Sequence, residues 1–267
     1  MCGAVRLTRA GFDGQGCRVT RKTDHYSYAI YADPAMARSF EDRRFGGPIG
    51  ELVASTQARV LIDMIGRVDG RRVLDVGTGA GRAALMLARG GARVTAVDAS
   101  EEMLLVARAR AADAMVTVNF LRGDAHDLQF EDRGFEIGVC LRVLMHAPDW
   151  KRCLAELCRV TDQLVIFDYP SFSSAAALES LGRRIKHAAG GRTEPYRVFR
   201  QSSIERVLRR SGFRVRSIHR QFVLPIQFHR TVGSRRFTEF AERLLERAGV
   251  LRLFGSPVTV CAERCES

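Results

Sequence analysis

The sequence predicts a doubly wound α/β fold, a mostly parallel sheet with helices on both faces, and three observations carry that prediction. From Arg72 onward short apolar runs rich in β-forming residues alternate with helical stretches, the pattern of consecutive βαβ units. The inner runs Val73-Leu74-Asp75-Val76, Val139-Cys140-Leu141 and Leu164-Val165-Ile166-Phe167 are almost continuously apolar, as strands buried on both faces must be. Residues 73–81 then read as a strand, a glycine turn and the start of a helix, a join typical of such folds. At 267 residues and 46% hydrophobic content, the chain can bury one sizeable core.

Taken in order, the strands are expected at Arg72 to Val76, Arg93 to Asp98, Thr117 to Arg122, Phe135 to Leu141 and Gln163 to Tyr169. Helices are expected between them at Arg82 to Arg89, Glu101 to Ala111 and Trp150 to Val160. Ser202-Ser203-Ile204-Glu205 has the spacing of a capping box, in which serine and glutamate satisfy each other's free N–H groups. The helix it opens should stop at Gly212. Phe213 to Leu224 reads as a sixth strand and Pro257 to Ala262 as a seventh. Between them Phe237, Phe240, Leu244 and Leu245 recur at helical spacing, so Arg235 to Arg247 is expected as an amphipathic helix whose apolar face is core or lid. Residues 23–68 read as helical with a break at Gly46-Gly47-Pro48, and 171–200 fits no regular alternation. The expected organisation is a flexible 1–22 followed by one domain over 23–267. Its helical cap is 23–68, and its insertions on the substrate side are 171–200 and 225–255.

Composition narrows the function classes. The formal charge is +12, yet Lys22, Lys151 and Lys186 are the only lysines among 42 basic residues, an arginine bias pointing to codon usage rather than to a nucleic-acid surface. The excess is local: residues 178–220 hold twelve basic side chains against Glu179, Glu194 and Glu205. A solvated helix face is the main explanation, with an anionic substrate or surface as the alternative. Seven cysteines without a CxxC pair or matching histidine spacing argue against zinc and against a disulfide framework; no metal is expected, and Cys140 and Cys153 read as core. No apolar run reaches the roughly 18 residues that a membrane span requires. The expectation is a soluble cytoplasmic protein of undetermined oligomeric state.

The chemistry is concentrated in Asp75-Val76-Gly77-Thr78-Gly79-Ala80-Gly81. Glycines at 77, 79 and 81 let backbone N–H groups approach a ligand and allow positive φ. Asp98, 23 residues after Asp75, ends the second strand where a carboxylate can accept bonds from both hydroxyls of a ribose. A dinucleotide site requires G-x-G-x-x-G, but Arg82 stands where the third glycine would fall. Asp75 would also repel a pyrophosphate, whereas it suits a cofactor bearing a sulfonium and an ammonium.

On these residues the chain resembles the class I S-adenosylmethionine-dependent methyltransferases, in particular the type 11 small-molecule group that includes the ubiquinone-biosynthesis enzymes. The resemblance covers about residues 70–170. It implies a Rossmann-like, seven-stranded sheet whose seventh strand is antiparallel and inserts beside the sixth, with helical insertions forming a substrate lid. It implies S-adenosyl-L-methionine as cofactor, S-adenosyl-L-homocysteine as product, and no metal. Asp75, Gly77, Thr78 and Gly79, with Gly81, would cradle the methionine part, and Asp98 would hold the ribose. Asp124 in Gly123-Asp124-Ala125 would meet the adenine amine, beside Ala125, Ala99 and Met103, and Leu141 with Arg142 would line the cofactor. The N-terminal helices would close over it, bringing Tyr31, Arg44 or Phe45 into contact, with Arg44 for the carboxylate. Glu136 departs from the family's usual aspartate, a conservative change.

Methyl transfer to an activated sulfonium needs positioning first, and a base only where the acceptor must lose a proton. His146, after the fourth strand at the carboxyl edge of the sheet, is the candidate base; its alternative role is to hydrogen-bond the loop toward Pro148. His126, His219 and His229 read as structural or exposed. Asp168-Tyr169-Pro170-Ser171 superficially matches the motif of amino-directed nucleic-acid methyltransferases, but that motif belongs after the fourth strand, which here ends in Leu-Arg-Val-Leu-Met-His; Tyr169 reads as strand-end packing. The sequence points to O- or C-methylation of a small-molecule acceptor and argues against a nucleic-acid partner. An RNA methyltransferase using 178–220, and a non-catalytic cofactor-binding module, are the alternatives.

Overall fold

A computed structural model describes residues 36, 44–174, 177, 180 and 197–265. Tyr31, the proposed flexible 1–22 and most of the 171–200 insertion lie outside the described residues.

The N-terminal helix α1 (Gly47–Ile65) starts after Gly46 with a proline in its first turn, where a missing N–H costs nothing. The alternating units follow as β1 (Arg72–Val76), α2 (Arg82–Arg89), β2 (Arg93–Asp98), α3 (Glu101–Asp113), β3 (Asn119–Arg122), β4 (Phe135–Cys140), α4 (Trp150–Val160) and β5 (Thr161–Tyr169). Ser100 caps α3 by accepting from the Met103 N–H, and Asp149 caps α4 through Arg152. After the second insertion come α5 (Gln201–Arg210), β6 (Phe213–Phe222), α6 (Ile226–Val232), α7 (Arg235–Arg247), α8 (Val250–Phe254) and β7 (Ser256–Arg264).

The seven strands form one sheet in the order β3-β2-β1-β4-β5-β7-β6. β1 to β5 pair in parallel, while β7 runs antiparallel between β5 and β6. Leu74, Val76, Val165 and Phe167 turn to one face, beneath Leu154 and Leu157 of α4 and Leu208 of α5. Val73, Ile137, Val139 and Ile166 turn to the other, against Leu61 and Ile65 of α1 and Leu87 of α2. Burial on both faces is what the continuous apolar runs required. Chain direction across the sheet reverses between β1 and β4, so their carboxyl ends diverge and open a crevice.

Two expectations fail in detail. The capping box is not made: α5 begins at Gln201 after Arg200, with no side-chain cap, and Glu205 instead accepts from Gln201 Nε2 within the first turn. Of the two alternatives for the apolar stripe of α7, core or lid, the core one fails as well, for Phe237, Phe240 and Leu244 are exposed, while Thr238 and Glu242 face inward. The reason is His229 of α6, fully buried, which needs polar partners on that side. Glu136 lies at the amino end of β4, accepting from the Arg72 N–H and pairing with Arg71 and Arg72, so its departure from the expected aspartate does not touch the crevice at the carboxyl ends.

Candidate active site

The crevice holds a cavity formed by the loops after β1 to β4. Asp75, Gly77, Thr78, Gly79, Asp98, Ala99, Met103, Asp124, Ala125, Leu141, Arg142 and His146 all line it, and Arg44 and Phe45 close it from the N-terminal side. Gly81 does not line it. With φ +80 it caps α2, and a Cβ there would stand 2.8 Å from Leu85 Cδ1 and 3.0 Å from Ala107 Cβ, so it serves the packing of α2 on α3 rather than ligand contact.

Each wall has a local cause. Gly77 (φ +69) lets the β1 turn pass the β4 loop, since a Cβ would lie 2.2 Å from Val143 Cγ2. The N–H groups of Gly77 and Thr78 donate to Val97 O at 2.7 and 3.0 Å. Gly79 N donates to Asp98 Oδ2 at 2.8 Å, and Ser100 N to Asp98 Oδ1 at 2.9 Å, which ties the glycine turn to the end of β2. Gly50 has no room for a side chain because Phe45 backbone folds onto it; that contact brings Arg44 and Phe45 to the cavity. Phe45 in turn lies under the Arg82 guanidinium at 3.9 Å.

The floor is acidic. Asp75 is almost fully buried and accepts from Thr78 Oγ1 at 2.7 Å. Burial pushes its carboxyl up to about 6, with the neighbouring Asp98 charge adding to the rise and the Thr78 bond opposing it. Burial raises Asp98 as well, against the N–H groups of Ser100, Gly79 and Ala99. At the third strand, Asp124 Oδ1 accepts from the His126 N–H and meets His126 Nδ1 at 2.7 Å. His126 thus meets Asp124 on the cavity wall.

Asp168, at the end of β5, is not among the site residues the sequence predicts. It is fully buried and raised by desolvation, opposed first by the Arg142 charge. Its Oδ1 accepts from the backbone N–H of Arg142, a non-glycine residue held at φ 62, and its Oδ2 faces Gln57 Nε2 at 3.5 Å. Gln57 Oε1 in turn accepts from Arg82. One polar chain thus runs from α2 through α1 to β5 and pins the left-handed turn that presents Arg142 to the cavity. Strain at a non-glycine residue beside a cavity is the kind that persists where the surroundings over-determine it. The signal for Asp168 was present in the sequence as a carboxylate ending an apolar strand at the carboxyl edge.

Residues 73–163 match the model of a family described as a methyltransferase domain. Over those residues the chain is similar to a methyltransferase domain. The curated relatives include a demethylmenaquinone methyltransferase of Renibacterium salmoninarum, 37% identical over 43% of this chain and 48% of that protein. Another is a ubiquinone biosynthesis O-methyltransferase of Alkalilimnicola ehrlichii, 32% identical over 49% of this chain and 53% of that protein. The chain spans about half the length of the curated relatives it matches. Among solved structures, magnesium protoporphyrin IX methyltransferase from Synechocystis PCC 6803 with bound SAH superposes with TM-score 0.64 at 16% identity, covering 91% of this chain and all of that one. That likeness concerns the fold.

Outside the cavity, Tyr169 packs with Phe167 and Phe199, which is strand-end packing as expected. His219 sits on β6 opposite Thr259. His229 forms a buried network, its Nε2 at 2.9 Å from Glu242 Oε1 and its Nδ1 at 3.1 Å from Thr238 Oγ1. Cys140 and Cys153 are buried in the core. No described helix is long and apolar enough to cross a membrane.

Proposed function

We propose that the protein is an S-adenosyl-L-methionine-dependent methyltransferase that transfers a methyl group to a small-molecule acceptor by O- or C-methylation. The observation that carries this reading is Asp75, a buried carboxylate beneath a glycine turn whose spacing does not suit a dinucleotide. A cationic ligand laid against that floor would discharge the cost of burying it. Asp75 and the Gly77 to Gly79 turn would hold the methionine part, Asp98 the ribose hydroxyls and Asp124 the adenine amine. Ala99 and Met103 would pack on the ring, and Arg44 would meet the carboxylate. The bound group supplies a methyl on a sulfonium, already activated for in-line displacement.

The chain then has to orient the acceptor and manage a proton. Arg142, fixed by Asp168, and His146 stand on the β4 loop beside the methionine end. His146 would take the proton of a hydroxyl or acidic carbon as the methyl transfers, and Arg142 would hold negative charge that develops on the acceptor. In this reading residues 23–267 form one domain, with the N-terminal helices and the 171–200 and 225–255 segments as lid. A cytoplasmic location suits the buried thiols of Cys140, Cys153, Cys158 and Cys261. The rival RNA reading has less support among the described residues: Arg209 faces Glu205, Arg214 and Arg216 face Glu263, and Arg200 lies over Phe172.

Isothermal titration with S-adenosylmethionine and S-adenosylhomocysteine tests the cofactor, and absence of binding to either sinks the proposal. Mass spectrometry of small-molecule extracts incubated with the protein and deuterated-methyl cofactor then identifies the acceptor.

A further inference from the structure

We propose that the helical insertion between β6 and β7 docks on an anionic lipid surface. Helix α7 is turned inside out. Its buried face is polar, Thr238 and Glu242 being fixed on His229, and Glu242 also accepts from the N–H groups of Val223 and Leu224 at 2.8 and 3.0 Å. The helical period places Phe237, Phe240 and Leu244 on one outward stripe, with Phe240 68% exposed. Phe228 of α6 extends the stripe, 6.3 Å from the Phe237 ring, and α8 adds Leu253 and Phe254, 64% and 47% exposed. This many exposed apolar side chains gathered on one insertion mark an interaction site.

Charge decides the partner. The same period sets Arg236, Arg243 and Arg247, all exposed, along one edge of the apolar stripe, with Arg243 also pairing with Glu239 at 3.6 Å on the helix surface. Residues 226–254 hold six arginines against three glutamates, one of which, Glu242, is buried. An apolar stripe edged by guanidinium groups fits a surface with acyl chains beneath and phosphates above. A protein partner would have to bring both features itself. The insertion also touches the cavity wall, since Arg230 Nη2 donates to Arg44 O at 2.5 Å, so a docked bilayer lies beside the site. The docking does not depend on which molecule accepts the methyl group.

Cosedimentation of the full chain with vesicles of phosphatidylcholine alone, or mixed with phosphatidylglycerol, tests this. Binding is expected only to the anionic vesicles, weakening as salt is raised. Arg236→Gln, Arg243→Gln and Arg247→Gln should each weaken it roughly fivefold, the effect of about one surface charge. The double variant Phe240→Ser/Leu244→Ser should weaken it at least about tenfold, with an unchanged melting temperature because both side chains are exposed. Should that double variant fold poorly, the arginine variants decide alone. Equal binding to both vesicle types, or none, overturns the proposal. So does self-association in sedimentation velocity that Phe240→Ser abolishes without any vesicle binding, which would give the face to a second copy.

Discussion

Asp75 carries an energetic conflict, because a carboxylate with an ordinary value of 3.8 is held where its value is about 6. Since the folded value is the higher, the burial costs nothing well below 3.8, and the cost grows as pH rises through about 6. In the empty protein Asp75→Asn should therefore raise stability at neutral pH, by up to about 3 kcal/mol, while removing cofactor binding; thermal melts and titration read the two together. Cofactor affinity in the wild type should fall as pH drops below about 6, by up to roughly tenfold per pH unit, as Asp75 takes up a proton. Gly77 makes a steric demand instead. Gly77→Ala places a Cβ against Val143 in a backbone region that costs about 1–2 kcal/mol for a side chain, so cofactor Kd should rise at least about tenfold. Gly77→Ala/Val143→Ala should recover part of that loss, whereas purely additive effects in the cycle would show that the Val143 contact is not the cause.

At the scale of elements, the strands and helices that follow one another through residues 72–169 were legible because each has one dominant signal. Arg82–Arg89 and Trp150–Val160 have the bounds the sequence predicts, set by a glycine turn before one and an aspartate cap before the other. Helix α7 also has its predicted bounds, but the choice between core and lid for its apolar face was not legible. Periodicity reports that Phe237, Phe240 and Leu244 share a face, not which way that face points. His229, brought in from another helix, decides the orientation by drawing Glu242 inward. Glu242→Ala would strand three donors, His229 Nε2 and the N–H groups of Val223 and Leu224, at a cost of roughly 3 kcal/mol. Hydrogen exchange should then quicken at Val223, Leu224 and through α6 and α7 while the amides of β1 to β5 keep their protection. Uniform loss of protection would show that the insertion is not a separate cooperative unit.

For the molecule as a whole, the loops after β1, β2, β3 and β4 meet along one cavity, so a ligand spanning it ties four elements together. S-adenosylmethionine at about a hundred times its Kd should stabilise the fold by about 2.7 kcal/mol. That should raise the melting temperature by roughly 5–10 °C in a chain of this size; no shift would contradict the proposed cofactor site. Most of the cavity lining was legible because glycines and acids at strand ends carry a strong local signature. Asp168, Gln57 and Arg82 were not read together, because they lie on β5, α1 and α2 and their polar chain exists only once the sheet has stacked those elements. The sequence by itself determined the doubly wound class, the glycine turn and the acids at the ends of β1, β2 and β3. These follow from hydrophobic period and backbone sterics, which act over a few residues. Tertiary structure alone decided that Gly81 packs α2 on α3 and that Asp168 holds the Arg142 turn. It also decided that the apolar stripe of α7 faces outward. Each of those outcomes depends on burying a polar group or closing a gap between elements far apart in the chain, and a local pattern carries no record of that.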